Sequence, residues 1–352
     1  MTERSNATGG TRVTRIGALV PLTEPGWVDA GRHLLAGLQL AATERGVELV
    51  VRDTAADPAK AAAAVEELAE LGVAAVVGEY HSVVARTAAA TADALGLPFL
   101  CSSAVLDALT EEPTEVVARI APPQSRGWSL YADFLKDAGH SRIAVVKQPS
   151  VYWAAGTRIL REHLDVVELQ PDDVTDGLAE SEATALLLLV GAPEPSTSIV
   201  AAVRRDPRLE HVLIGAPAGQ PEFADWTGIP FLRYLPDQLT PLGVRVEAAL
   251  RDALGDAPSF VAFEGYDTIL ALGAPWADVD VEGTRGRITF SRVPGVSVWQ
   301  WAWPPIQVVD RDPANPDAFR VRYSASISGT PNTRRTPESS PSSSPGSSSS
   351  SA

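Results

Sequence analysis

The stretch VAAVVGEYHSVVARTAAATADALGLPFLCS, residues 73–102, decides the fold. It opens on a short apolar run without polar alternation (73–78) and passes through Glu79, Tyr80, His81 and Ser82. An Ala-rich amphipathic segment follows (82–95), then a second short apolar run (98–102). A strand that does not alternate is one buried on both faces. Strand, helix and strand within ~25 residues is the spacing of a right-handed βαβ crossover in a parallel sheet.

The same unit recurs on both sides. Strands are expected over 16–20 and 47–52 and helices over 32–44 and 58–71, with Asp57 placed to cap the second and Pro58 at its first position. After a strand at 116–120 and the break at Pro122-Pro123, a second series begins. It has helices at 126–137, 153–163 and 196–205 and strands at 142–147, 166–169, 185–190 and 211–215. The run 229–235 leads into helices at 241–254 and 259–273, and extended segments at 288–290, 296–303 and 306–309 close the pattern. The expectation is an α/β fold of two doubly wound parallel-sheet lobes joined by a multi-strand hinge, with a ligand cleft between them. Residues 12–121 plus 236–294 form the N-terminal lobe and 122–235 plus 295–323 the C-terminal lobe. The hinge crossings are placed near Ala121-Pro122, Tyr234-Leu235 and Pro294-Gly295. Residues 324–352 are rich in Ser and Pro, with ten Ser in the last fourteen positions, and are expected to be disordered.

Composition removes several classes of function. The termini are close to neutral, so residues 12–323 carry −16 of a total of −15, a balance that repels nucleic-acid phosphates. A single cysteine, Cys101, allows no internal disulfide and no Cys-based zinc site. The five His, at 33, 81, 140, 163 and 211, show no metal spacing, and no dinucleotide, Walker, zinc-protease or serine-hydrolase motif occurs. No cofactor or metal is therefore expected. No stretch reaches the ~18 apolar residues of a membrane span, and the first ten residues have no apolar core. As written, the expected location is cytoplasmic; a start lying upstream would make it periplasmic or extracellular.

Ligands of open parallel sheets sit beyond the carboxyl ends of the strands, where helices begin. The loops there hold Trp27; Glu79, Tyr80, His81 and Ser82; Cys101, Ser102 and Ser103; and Tyr152 with Trp153. Ser82 stands where a helix starts, so its hydroxyl either caps that helix or joins its N-terminus in holding an anion such as a carboxylate. Tyr152 and Trp153 are either packing residues or a ligand wall. His81 is a packed side chain or a pocket residue, and Cys101 reads as an inert thiol in an apolar strand end. Catalysis by Cys101 or Ser103 would need a base that no motif supplies. Trp299, Trp301 and Trp303 recur at period 2 and are expected to share one buried strand face.

Several stretches together resemble the type I periplasmic-binding-protein fold, in particular the leucine/isoleucine/valine-binding branch of ABC-transporter substrate-binding proteins. They are IGALVPLT (16–23), the small-residue helix with Gly31, Gly37 and Ala41, VRDT (51–54) with Asp57-Pro58, and VAAVVG (73–78) with Ser82. Pro98, Ser103, Ala104, Leu109 and Thr110 continue the match, as do RIAVV (142–146), Tyr152, GYD (265–267), GTRG (283–286) and Phe290. The similarity spans roughly residues 14–310. It implies a non-catalytic protein whose lobes close on a small-molecule ligand. Ser82 and the backbone of Ser103 would hold an α-carboxylate, Tyr152 would cover the ligand from the second lobe, and Trp27 lies near a first-lobe loop aromatic. The implied partner is an ABC permease; in a cytosolic ligand-sensing module of the same fold it is an intracellular regulatory protein. This chain departs from the pattern at Val105, where the family often has Thr, and at Gly191-Ala192-Pro193, where an aromatic is replaced. It departs further at Ala216-Pro217-Ala218-Gly219, where an acid for the ligand ammonium is expected. Either the ligand is not a simple α-amino acid, or another acid substitutes, Glu79 first by sequence and Glu264 behind it.

Overall fold

The computed structural model describes residues 14–324 apart from 192, 193, 225 and 274. The first part of the chain runs β1 (Arg15–Val20), α1 (Val28–Arg45), β2 (Glu48–Asp53), α2 (Pro58–Glu70), β3 (Ala75–Gly78), α3 (Ser82–Ala94), β4 (Phe99–Cys101) and β5 (Val117–Arg119). It then crosses to α4 (Gln124–Asp137), β6 (Arg142–Lys147), α5 (Val151–His163), β7 (Asp165–Leu169), α6 (Val174–Ser181), β8 (Ala185–Leu189), α7 (Ser196–Arg205), β9 (Leu213–Gly215) and β10 (Phe231–Arg233). It returns as α8 (Pro241–Leu254), α9 (Phe260–Leu270), β11 (Asp280–Glu282), β12 (Arg287–Arg292) and β13 (Trp299–Trp301). It ends in β14 (Gln307–Asp312) and β15 (Asn315–Ser324).

Two sheets form the lobes. The first has the order β11-β12-β13-β5-β4-β3-β1-β2, parallel from β13 to β2, with β12 and β11 added antiparallel at one edge. The second is the parallel set β7-β6-β8-β9. A single parallel bridge from Ala216 to Phe231 connects it to the antiparallel sheet β10-β14-β15. Central strands such as β3 and β8 are buried along their whole length. That accounts for the absence of alternation in their sequence.

The third crossing lies later than the sequence suggests. Residues from 295 onward were expected in the second lobe, yet Trp299 and Gln300 pair with Ala118 and Arg119 in the first sheet. Val298 and Trp301 are buried in the first-lobe core, and that burial holds the chain there to the end of β13. The expected shared face of three tryptophans also fails. Trp301 is buried and Trp299 half-buried, but Trp303 is 76% exposed because β13 has ended two residues before it. Three elements, α6, β11 and β15, were not anticipated. In β15 the signal is present, since Phe319, Val321 and Tyr323 alternate with Arg320 and Arg322, which pair with the buried Asp310. Of the tail expected to be disordered, Ser324 ends β15 and 325–352 lie outside the described residues.

Local expectations hold where they are chemically simple. Asp57 caps α2, its carboxylate accepting from the N–H groups of Ala59 at 2.8 Å and Lys60 at 3.4 Å. Helix α1 starts at Val28 rather than at 32 and lies against α9 at close range. A Cβ at Gly37 would sit 1.9 Å from the Ala262 carbonyl oxygen, and one at Gly265 would sit 2.4 Å from that of Leu34. The obstacle in both cases is backbone, so the two helices can approach only because these positions are glycine. Gly37→Ala is expected to destabilise the protein by about 1–3 kcal/mol, the usual cost of overpacking. A lowered urea midpoint in equilibrium unfolding checks this; an unchanged midpoint would show that the helices separate freely.

Candidate functional site

A cavity of about 120 Å³ lies between the strand ends of the two lobes. At ~10–15 Å³ per water-sized occupant, its volume is on the scale of a small molecule. The first lobe contributes Tyr80, His81, Ser82, Val83, Ser103, Val105 and, from the start of α9, Phe260. The other wall is built from Ser150, Tyr152, Trp153, Ala218, Gly219 and Tyr234.

The loop after β3 is shaped by Gly78. Its φ is +115°, and a Cβ there would lie 2.1 Å from the Leu19 carbonyl oxygen, so only glycine lets the strand turn here. The turn carries Glu79 underneath the loop. Its Oε2 accepts from the Thr54 hydroxyl at 2.6 Å, and its Oε1 accepts from the N–H groups of Tyr80 at 2.7 Å and His81 at 2.9 Å. Glu79 is fully buried and is not part of the cavity wall. The expectation that it replaces the missing ligand-pairing acid is therefore corrected: its carboxyl is committed to closing the loop. Loss of solvent pushes that carboxyl up to about 7 against the pull of the three hydrogen bonds.

Ser82 is the first residue of α3, and His81 occupies the cap position. The Ser82 hydroxyl accepts from the Val105 N–H at 3.2 Å, tying the loop after β4 to the helix. The hydroxyl proton remains to be donated, next to helix N–H groups that have no intrahelical partner. Ser103 lines the same wall, but its N–H is directed to the Glu79 carbonyl at 3.4 Å, so the expected backbone contribution of Ser103 is restricted and its hydroxyl is what it offers. That hydroxyl donates to Ser102 Oγ at 3.3 Å.

Opposite stands an aromatic wall. Ser150 caps α5, its hydroxyl accepting from the Tyr152 N–H at 3.2 Å, and this places Tyr152 and Trp153 in the first helical turn. Tyr152 meets Trp153 at 4.7 Å and the edge of the buried Trp128 at 5.9 Å between ring centroids, while Tyr234 meets Phe260 at 5.0 Å. Burial raises the phenols of Tyr80, Tyr152 and Tyr234, keeping them neutral donors, and lowers His81, keeping it neutral at pH 7. Among the described residues, the wall thus offers hydroxyls and aromatic faces and no charged side chain. At Gly219 the reason is steric, since a Cβ would lie 2.7 Å from the Phe260 ring.

Of the residues singled out from sequence, Ser82, Ser103, Tyr80 and Tyr152 come together around the cavity, with His81 and Trp153. Trp27 precedes α1, half-buried, and does not line the cavity. Of Gly191-Ala192-Pro193, the last two lie outside the described residues. Cys101 is buried, its thiol donates to the Ala104 carbonyl at 3.8 Å, and burial pushes it up to about 12, which leaves no thiolate for attack. Tyr234 and Phe260 were not singled out. Tyr234 sat in an expected hinge crossing, and Phe260 belongs to a helix buried along nearly its whole length, where no polar face marks a site. Among the described residues no group of His, Cys, Asp or Glu could hold a metal ion, and no helix is long and apolar enough to cross a membrane.

A family model described as periplasmic binding protein matches residues 13–206, more than half of the chain. The structure is similar to that of a leucine-binding protein from Thermotoga maritima (TM-score 0.75, 17% identity, 90% of this chain and 99% of that one). It is also similar to the branched-chain amino acid transporter substrate-binding protein from Streptococcus pneumoniae in complex with isoleucine (0.73, 17%, 89% and 100%). A third is an ABC-transporter solute-binding protein from Rhodopseudomonas palustris in complex with benzoate (0.72, 14%, 89% and 96%). No curated protein sequence matches the chain. At these identities the likeness is one of fold.

The Glu79 carboxyl gives a pH signature. Its ordinary value of 4.5 is raised to about 7 in the folded protein, so its contribution to stability is full below about 4.5 and is lost as pH rises through 7. Glu79→Gln keeps an acceptor for the two N–H groups and removes the desolvated charge. It is expected to shrink the drop in urea midpoint between pH 6 and pH 8; an unchanged drop would show that Glu79 does not titrate there.

Proposed function

The chain belongs to the periplasmic binding protein family, and from that premise we propose that it is a non-catalytic binding protein that closes two lobes on a small carboxylate. One observation carries the reading: the Ser82 hydroxyl and the start of α3 face an aromatic wall across a cavity that, among the described residues, has no charged side chain. An anion is met by hydroxyl and helix N–H donors there. An ammonium finds no counter-charge, and leaving such a group desolvated and unpaired costs several kcal/mol. The relatives described above were solved with isoleucine and benzoate, which share a carboxylate. The cavity of this chain favours a carboxylate on an uncharged apolar or aromatic body over a simple α-amino acid.

In this reading the moving bodies are 14–121 with 236–301 and 122–235 with 306–324, and affinity depends on the population of the closed state. The closed form is what an ABC permease would receive, outside the cytoplasmic membrane. Cell fractionation tests the location, and recovery with cytoplasmic proteins would favour the ligand-sensing regulatory module instead.

Titration calorimetry with benzoate, 4-methylpentanoate and L-leucine tests the ligand class. A carboxylate that binds should raise the melting temperature, and Ser82→Ala should weaken its binding by about 1–2 kcal/mol, the scale of a hydrogen bond to a charged group. Unchanged affinity would leave Ser82 as a structural tie to Val105 alone.

A further inference from the structure

The two lobes also meet outside the cavity. Gln220–Phe223 forms a one-turn helix in the loop after β9, and the Phe223 ring it carries reaches the first lobe. The ring centroid lies 5.7 Å from that of His33 on α1 and 6.2 Å from that of Tyr80 in the loop after β3, both edge-to-face. These are separations and angles that aromatic pairs favour. Tyr80 lines the cavity; Phe223 does not.

Each half of this contact is held in place by its own lobe. In the second lobe, the Arg311 guanidinium of β14 donates to the carbonyls on either side of Phe223, from Nη2 to Glu222 at 2.7 Å and from Nε to Ala224 at 3.0 Å. The buried Glu222 carboxylate accepts from Arg233 Nε of β10 at 2.9 Å. In the first lobe, His33 is buried and its Nδ1 accepts from the Ser259 N–H at 3.0 Å. The other ring nitrogen, Nε2, lies 3.3 Å from Arg32 Nη2 and 3.7 Å from Asp256. Tyr80 stands on the turn that Glu79 closes by accepting its N–H at 2.7 Å. A contact between two groups already positioned forms with little loss of side-chain freedom, so its free energy goes into holding the bodies together. Opening the cleft separates Phe223 from His33 and Tyr80, whereas the bonds of Arg311 and Ser259 each lie within one lobe and need not change.

We propose that Phe223 is a latch residue: seated against His33 and Tyr80, it raises the population of the closed form and so sets ligand affinity without touching the ligand. The latch rests on the two-lobed closure described above and adds no ligand contact to it. Its effect is uniform, because a change in the closed population scales the affinity of every ligand of the cavity by one factor. A residue of the cavity wall would change those affinities unequally.

Small-angle X-ray scattering and titration calorimetry of the full chain test the latch, with benzoate, 4-methylpentanoate and L-leucine as probes. Phe223 is half-buried, so Phe223→Ala is expected to fold; Phe223→Leu, which keeps apolar volume and loses the ring, is the second variant. Without ligand, Phe223→Ala should have a larger radius of gyration than the wild type, and Phe223→Leu an intermediate one. Each probe that binds the wild type should bind Phe223→Ala about three- to tenfold more weakly, by the same factor for all. An unchanged radius of gyration overturns the latch, and so does unchanged affinity for a probe that the wild type binds. A loss confined to one probe of several also overturns it and makes Phe223 a ligand contact. Failure of all three probes to bind the wild type overturns the carboxylate reading alone, and scattering of the unliganded chain then decides the latch by itself.

Discussion

The Arg285 guanidinium holds in one place the parts against which the cleft must work. Its side chain is fully buried, with Nε on Asp267 at 2.9 Å, Nη1 on the Tyr234 carbonyl at 3.1 Å and on Glu264 at 3.3 Å, and its Cζ 5.1 Å from the Trp301 ring centroid. Helix α9, the crossing after β10 and strand β13 therefore meet on a single cation. A buried ion pair is weak evidence for stability, because desolvation offsets much of the attraction. What it supplies is definition, since each group that loses its place leaves a charge uncompensated. Two carboxyls share this one cation, and both Glu264 and Asp267 are accordingly raised from their ordinary values by burial.

The same cation holds the carbonyl of Tyr234, whose side chain lines the neutral cavity. The body of the chain is strongly acidic, so its long-range field does not draw anions in. Screening reduces such fields beyond about 8 Å at physiological salt. On the carboxylate reading proposed above, recognition is short-range, from the Ser82 hydroxyl, the N-terminal turn of α3 and the hydroxyls on the walls. Gly78 matters for the same reason. By letting β3 turn sharply, it puts Glu79 beneath the loop, where it takes the N–H groups of Tyr80 and His81, and leaves the side chains of Tyr80, His81 and Ser82 lining the cavity.

Much of the architecture was legible because its signals are local. Unalternated apolar runs marked the parallel strands, and Asp57-Pro58 marked the start of α2. The strand-end loops holding Ser82, Ser103 and Tyr152 do face one cavity. Where the reading failed, the deciding partner was remote. Trp303 follows the period of Trp299 and Trp301 but escapes burial because pairing with β5 covers only Trp299 and Gln300. Glu79 lies in a strand-end loop, but Thr54, 25 residues earlier, holds its carboxyl beneath that loop.

The sequence by itself determined the two-lobed α/β class, the order of the early strands and helices, and the loops in which a ligand site could lie. These follow from side-chain periodicity and capping, which act over a few residues. Only the tertiary structure decided which polar groups remain free for a ligand. Ser82 is tied to Val105, Glu79 to Thr54, and Glu264 to Arg285 by one oxygen alone. A buried polar group takes its hydrogen-bond partner from whatever the fold brings within about 3 Å, and chain separation says nothing about that distance.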